Sequence, residues 1–535
     1  MKGGLRQSMA WLHTWAGLLV GWVLFFVFLT GTIGYFDTEI DRWMRPELPL
    51  EPQTISQAEG LALGFGYLRD VAPAATNWSV YPPNGHDIQQ VSLFWSGATA
   101  DSSGRVERNS AVLDHATGLP LQARDTGGGA TLYQMHYLLH YLPSRLAYWI
   151  VGFCTMMMFV AIVSGVITHK RIFRDFFTFR PGKGHRSWLD FHNVMGVFAL
   201  PFHLMITYSG LVFFMSTYMA LALSATYGSG GRQAYFDEAY RNPERPEPAR
   251  IAAPLASIDG MHSQVIARWG EDNVRAATVY NPGDANARVV FTRSHVDPFS
   301  NGGRMTFDGT SGEWLDGYPY RTGPVMVNDA LLALHEGLFA GPVLRWLYFL
   351  TGLLGTAMIG TGLVMWTAKR KPNFTDRGAA PHFGVRLVER LNIGTIAGLP
   401  IAIAAYFWAN RLLPADLAGR ADWEVNVMFA VWAVMLIAPW FRSARQAWAD
   451  QLYTAAAMFA LLPALNAVTT DQHLGVSLPM GAWQHAGFDL TMLAFGLAFG
   501  VAARRQQRRT RGHEPRTESI FHGEAPASAN LTRIT

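Results

Sequence analysis

Eight long apolar runs decide most of what this chain of 535 residues can become. They lie near 11–36, 146–168, 188–218, 342–367, 391–411, 424–441, 451–468 and 483–503. About 20 apolar residues suffice for a helix to cross the hydrocarbon core, where a backbone must satisfy its own hydrogen bonds. The expected fold class is therefore an α-helical polytopic membrane protein with about eight transmembrane helices. Half the residues are apolar and only 15% are charged, which excludes a soluble enzyme. The net charge of +4 matters less than its placement. HKRIFRDFFTFRPGKGHR follows the second run, AKRKPNFTDRG the fourth, FRSARQ the sixth and ARRQQRRTRG the eighth. With the N-terminal MKGGLR they share one side, which the positive-inside rule makes cytoplasmic, so both termini are expected inside. These loops are read as topology and not as a nucleic-acid surface; lipid is the expected surrounding. The first run is too long for a signal-peptide core and lacks a small-residue cleavage site, so it reads as an uncleaved helix.

The chain repeats itself. WLHTWAGLLVGWVLFFVFLTG (11–31) aligns without a gap with DFHNVMGVFALPFHLMITYSG (190–210), matching His13 with His192, Gly17 with Gly196 and Gly31 with Gly210. Spans 2 and 4 correspond too, with Trp149 on Trp346 and Ser164-Gly165 on Thr361-Gly362. Outside the membrane, DIQQVSLFW (87–95) and NARVVFTR (286–293) alternate as strands do. AVLDHATGL (111–119) and MTFDGTSGE (305–313) share a D-x-x-[ST]-G turn, a structural motif because Asp opens and Gly closes a tight turn. The expected domains are helix 1 (1–36), outside domain 1 (37–140), helices 2–3 with their basic loop (141–218), outside domain 2 (219–335) and helix 4 (336–370). An additional module of helices 5–8 (371–504) and a disordered basic tail (505–535) follow.

The histidines fall in two layers. His13 and His192 sit one turn into spans 1 and 3, near the cytoplasmic surface. His203 lies about 16 Å of rise beyond His192, on the same face if span 3 is one helix. His136 and His140, one turn apart, precede span 2, and His335 precedes span 4. Ionisable groups at membrane depth mark functional sites. Imidazoles at two depths suit two stacked b-type haems: His13 with His192 inside, His203 with His140 or His335 outside, His136 competing with His140. No CxxCH motif exists, so such haem is non-covalent, and the histidines leave no separate metal site. No residue is singled out as catalytic. The lone Cys154 excludes an intramolecular disulfide and a thiolate cluster, and reads as a small buried apolar residue. Asp190 is either a partner of His192 or an early-helix acid.

The stretches WLHTWAGLLVGWVLFFVFLTGTIGYFDTEIDRWMRPE (11–47), SGVITHKRIFRDFFTFRPGKGHRSWLDFHNVMGVFALPFHLMITYSGLVFF (164–214) and LHEGLFAGPVLRWLYFLTGLLGTAMIGTGLVMW (334–366) resemble the PepSY-associated transmembrane family. The resemblance covers about 1–370, and helices 5–8 exceed the family's usual four-helix unit. It implies two α+β PepSY-like domains in the periplasm of a bacterial inner-membrane protein. Some members are haem-containing reductases that release iron from ferric siderophores, so a ferric siderophore or other ferric chelate is the implied acceptor. This chain has no G-x-G-x-x-G after a strand, so the electron donor is a separate cytoplasmic reductase or a quinol. Two other classes compete. One is a transporter for iron, siderophore or peptide, with Pro201 as the break in its helix; the other is a non-catalytic peptidase or peptide regulator.

Overall fold

The computed structural model describes residues 4–50, 54–84, 88–100, 106–169, 173, 180, 185–240, 246–294, 303–318, 323–371 and 381–511. Most of the basic loops after spans 2 and 4, and residues 512–535 of the expected tail, lie outside the described residues. In chain order the helices are α1 (Leu5–Gly34), α2 (Asp37–Met44), α3 (Gln57–Val71), α4 (Gly128–Met135), α5 (Ser144–Thr168), α6 (His185–Phe198) and α7 (Leu200–Phe213). Then come α8 (Met215–Tyr218), α9 (Ala220–Tyr227), α10 (Gly231–Tyr240), α11 (Ile258–Trp269), α12 (Gly323–Glu336) and α13 (Pro342–Arg370). The last module holds α14 (Phe383–Ile396), α15 (Gly398–Leu412), α16 (Arg420–Ile437), α17 (Ala444–Thr469), α18 (Leu474–Ser477) and α19 (Trp483–Arg511).

Among the described residues seven helical spans are long and apolar enough to cross a membrane, and the pair α6–α7 makes an eighth if it is one bent span. The bend is 68°. It falls at Ala199, two residues before Pro201, which occupies the first turn of α7. Proline has no N–H to continue the helical ladder, and its ring crowds the preceding turn, so the helix restarts there. His192 and His203 consequently do not share one helix face, contrary to the straight-helix reading of the sequence.

Outside the membrane the two repeat segments build one object. Each begins with a helix capped by serine: the Ser56 side chain accepts from the Glu59 N–H before α3, and that of Ser257 from the Gly260 N–H before α11. Among the described residues the strands are antiparallel: β1 (Asn77–Tyr81), β2 (Ser92–Ala100), β3 (Val106–Val112), β4 (Val274–Tyr280), β5 (Arg288–Arg293), β6 (Arg304–Asp308) and β7 (Trp314–Tyr318). They form a single sheet in the order β3-β2-β1-β4-β5-β6-β7. The seam is β1 against β4, with Trp78 opposite Val279 and Ser79 opposite Thr278. Each half alone would leave its first strand as an unpaired edge, and pairing the two edges removes both. One face buries Trp78, Val80, Leu93, Phe291 and Phe307 against Leu61 and Phe65 of α3 and Met261 and Val265 of α11.

The shared turn motif is structural in both copies. Asp114 accepts from the Ala116 N–H and the Thr117 hydroxyl, and Gly118 closes the turn at φ +68°. Asp308 accepts from the Thr310 N–H and hydroxyl and the Ser311 N–H, with Gly312 at φ +74°. Burial pushes the Asp308 carboxyl up, but hydrogen bonds from Thr310 and Ser311, with Arg288 beside it, outweigh that and hold it at about 2. A carboxyl depressed in the folded state stabilises above its ordinary range and loses that contribution as pH falls through its folded value. The thermal midpoint of the detergent-solubilised protein, followed by strand circular dichroism, is expected to drop between about pH 4 and pH 2. Asp308→Asn is expected to flatten that drop; an equal drop in the variant would place the sensitivity elsewhere.

A buried polar knot fastens the last module to this unit. Arg420 and Glu424 form an ion pair with both side chains wholly inaccessible. Glu424 also accepts from the Thr126 hydroxyl at 2.6 Å and from Asn410 Nδ2 at 2.7 Å. Beside it, Trp43 of α2 donates to Asp489 Oδ1, stacks on Phe488 and carries the Arg411 guanidinium 3.7 Å from its ring centroid.

Candidate functional site: two facing histidine pairs

Four of the six candidate histidines are brought together as two pairs. His13 of α1 and His192 of α6 have ring centroids 6.3 Å apart. His136, which caps α4, and His335 of α12 have centroids 5.9 Å apart. In each pair one member comes from each half of the repeat. His136 rests on α1 at the level of Val27, 14 residues beyond His13, so the pairs are separated by about 21 Å of rise along α1.

The same device holds every ring. His13 Nδ1 lies 2.8 Å from the Ala161 carbonyl, and the glycine one turn later, Gly165, leaves room for the ring: a Cβ there would be 3.1 Å from His13 Cε1. His192 Nδ1 lies 2.9 Å from the Met358 carbonyl, with Gly362 one turn later. His136 Nδ1 lies 2.7 Å from the Val27 carbonyl, and a Cβ on Gly31 would sit 2.3 Å from that nitrogen. His335 Nδ1 lies 2.9 Å from the Ser209 hydroxyl, with Gly210 against its ring. Ser209 donates its own proton to the Met205 carbonyl at 2.6 Å, so it accepts from His335. A carbonyl can only accept, so each Nδ1 carries the proton and each Nε2 keeps its lone pair. No partner for these four Nε2 atoms appears among the described residues. Fixing Nδ1 in this way orients a ring and raises the basicity of Nε2, which is how proteins prepare histidine as a metal ligand.

The surroundings are apolar with a polar rim. A cavity of about 400 Å³ adjoins the His136–His335 pair, lined by Phe28, Phe202, Phe213 and Tyr133 and also by Arg232 and Glu336. Metal–imidazole bonds are about 2.0–2.1 Å for a first-row ion such as zinc, which sets two axial rings on one metal roughly 6 Å apart. Both pairs have that spacing. Two ligands alone are too few for a bare ion, which takes about four or more, and no cluster of three or more His, Cys, Asp or Glu that could hold a metal occurs among the described residues. The arrangement suits a metal whose remaining positions are filled by a macrocycle.

The other two histidines stand apart. His203 is wholly buried, with Nε2 3.4 Å from the Thr351 carbonyl and no described partner for Nδ1. It belongs to neither pair, because the bend before α7 turns it towards α13. His140 stacks on Phe429 at 5.7 Å, meets Tyr141 edge-on, and contributes to the interface with the last module. Asp190 takes Arg180 in a bidentate ion pair, with contacts of 2.9 and 2.8 Å, and is not the partner of His192. Sequence reasoning missed the accepting carbonyls. The signal for them was present in the aligned glycines, since each accepting turn precedes Gly31, Gly165, Gly210 or Gly362.

Fold and site together define a polytopic membrane protein of internally repeated design, with a shared antiparallel sheet over a helix bundle that presents paired histidines at two depths. The chain belongs to the family described as the PepSY-associated TM region, whose profile matches residues 10–369. It is also similar to the uncharacterized protein PA4219 of Pseudomonas aeruginosa, 25% identical over 374 residues that cover 66% of this chain and 88% of that protein.

Proposed function

We propose that this chain is a di-haem b electron conduit of the bacterial inner membrane, which reduces a ferric siderophore or other ferric chelate on the sheet side. The observation that carries the reading is the pair of bis-histidine sites, each contributed symmetrically by the two repeat halves and each with Nδ1 committed and Nε2 open. Haem held there would supply a one-electron redox centre. His13 and His192 hold the group on the basic-loop side, and His136 and His335 hold the one beneath the sheet. The carbonyls of Ala161, Met358 and Val27 and the Ser209 hydroxyl keep the rings in register, so that ligation needs little rearrangement. Phe28, Phe202 and Phe213 line the cavity beside the outer pair, and apolar surroundings of this kind tune potential. The sheet side is the periplasm in this reading, with both termini cytoplasmic. Ferrous iron is a weaker partner for hard oxygen ligands than ferric iron, so reduction loosens the chelate.

The broken span α6–α7 would also suit a transporter. Proteoliposomes separate the two readings. With ferric chelate and a ferrous-indicating dye trapped inside and dithionite outside, the haem-loaded protein is expected to colour the dye at least tenfold faster than protein-free vesicles, about 1.4 kcal/mol off the barrier. His13→Ala is expected to remove the acceleration. Dye reduction no faster than in empty vesicles would overturn the conduit, and loss of trapped chelate in its place would favour transport.

A further inference from the structure

A second, larger cavity of about 1010 Å³ runs between the repeat unit and the last module. One wall is α1 and α13; the other is α14, α17 and α19. It crosses the whole bundle, from Trp346 and Trp483 at the sheet side to Lys371, Glu389 and Arg505 at the basic-loop side. Its middle is aromatic and aliphatic, so it is shaped for a molecule with a long hydrocarbon tail and one polar head. The polar end adjoins the inner histidine pair. Thr361 lines the cavity, and its hydroxyl lies 3.2 Å from His192 Nδ1. Trp188, one turn before His192 on α6, lines it as well. At the same end Lys371 and Glu389 are ion-paired, which places a hydrogen-bond donor and a proton acceptor side by side.

We propose that this cavity binds an isoprenoid quinol, with its head in the basic-loop half between Thr361 and the Lys371–Glu389 pair, and that electrons enter the protein there. The proposal rests on the haem reading for the fate of the electrons. Oxidation of the quinol to the quinone breaks both O–H bonds and releases two protons and two electrons. The electrons would leave one at a time towards a haem held by His13 and His192, while one proton passes to Glu389 and the other to water at the basic-loop side. The last module then has a role that its sequence did not disclose, because it supplies one wall of the quinol site. A phospholipid would fit the same hydrocarbon slot, but the contact between Thr361 and His192 gives a redox head a use that a phosphate lacks.

The test uses the full chain purified in mild detergent, with solvent extraction and quantification of bound quinone and phospholipid, and a titration with decylubiquinol followed by haem absorbance. About one quinone per chain is expected. Ala357→Phe fills the slot from α13, and Ala502→Phe fills it from α19 should the first fail to fold. Either is expected to lower quinone retention and the rate of haem reduction by decylubiquinol roughly tenfold or more, with haem content and reduction by dithionite unchanged. Extraction of phospholipid alone, with haem that dithionite reduces and decylubiquinol does not, would overturn the proposal. A protein without haem would sink the conduit reading, and quinone retention would then decide the cavity by itself.

Discussion

His136→Ala and His192→Ala are each expected to lower bound haem from about two to about one per chain, measured by pyridine haemochrome. Each removes one axial ligand from one pair and leaves the other pair about 21 Å away untouched. His140→Ala is the control and is expected to keep both, because His140 packs on Phe429 and Tyr141 and faces neither pair. Gly31→Leu is expected to reproduce His136→Ala without touching a ligand. Its Cβ would sit 2.3 Å from His136 Nδ1, so the ring must leave the Val27 carbonyl and its place opposite His335. Retention of both haems in Gly31→Leu would show that this carbonyl does not position the ring.

Arg420→Leu is expected to cost about 3–5 kcal/mol, the usual penalty for stranding one partner of a buried ion pair. It strands the inaccessible Glu424 carboxylate with the Thr126 hydroxyl, the Gly127 N–H and Asn410 Nδ2 as its remaining partners. The knot joins residues 124–127 to α15 and α16, so the loss should appear as detachment of the last module, seen as faster proteolysis between α13 and α14 at a lowered melting midpoint. The double variant Arg420→Leu with Glu424→Leu removes both charges and is expected to be more stable than the single one, because replacing a whole buried pair is often near neutral. A double variant less stable than the single would show that the remaining polar groups depend on Glu424 more than Glu424 depends on Arg420.

The spans and the repeat were legible because both follow from local composition. Apolar runs of bilayer length have few alternatives, and an ungapped match of 21 residues sets His13 on His192. The D-x-x-[ST]-G turns were legible for the same reason, since Asp and Gly act within four residues. The join of the two outside segments was not legible. Whether β1 ends its own small sheet or pairs with β4, about 200 residues away, depends on how the two halves dock, which no short window encodes. His136 and His140 lie one turn apart before the same span, so periodicity could not separate them. Only the α1 carbonyl at Val27 and the space at Gly31 set His136 beside His335. Pro201 hinted at the break in span 3, but the 68° angle that turns His203 away from both pairs comes from the packing of α7.

The most direct test is the visible spectrum of the full chain purified in detergent, oxidised and then reduced with dithionite, with a haemochrome count. Sharp reduced bands of six-coordinate b haem at about two per chain are expected. A colourless protein that stays colourless after reconstitution with haem would contradict the conduit reading.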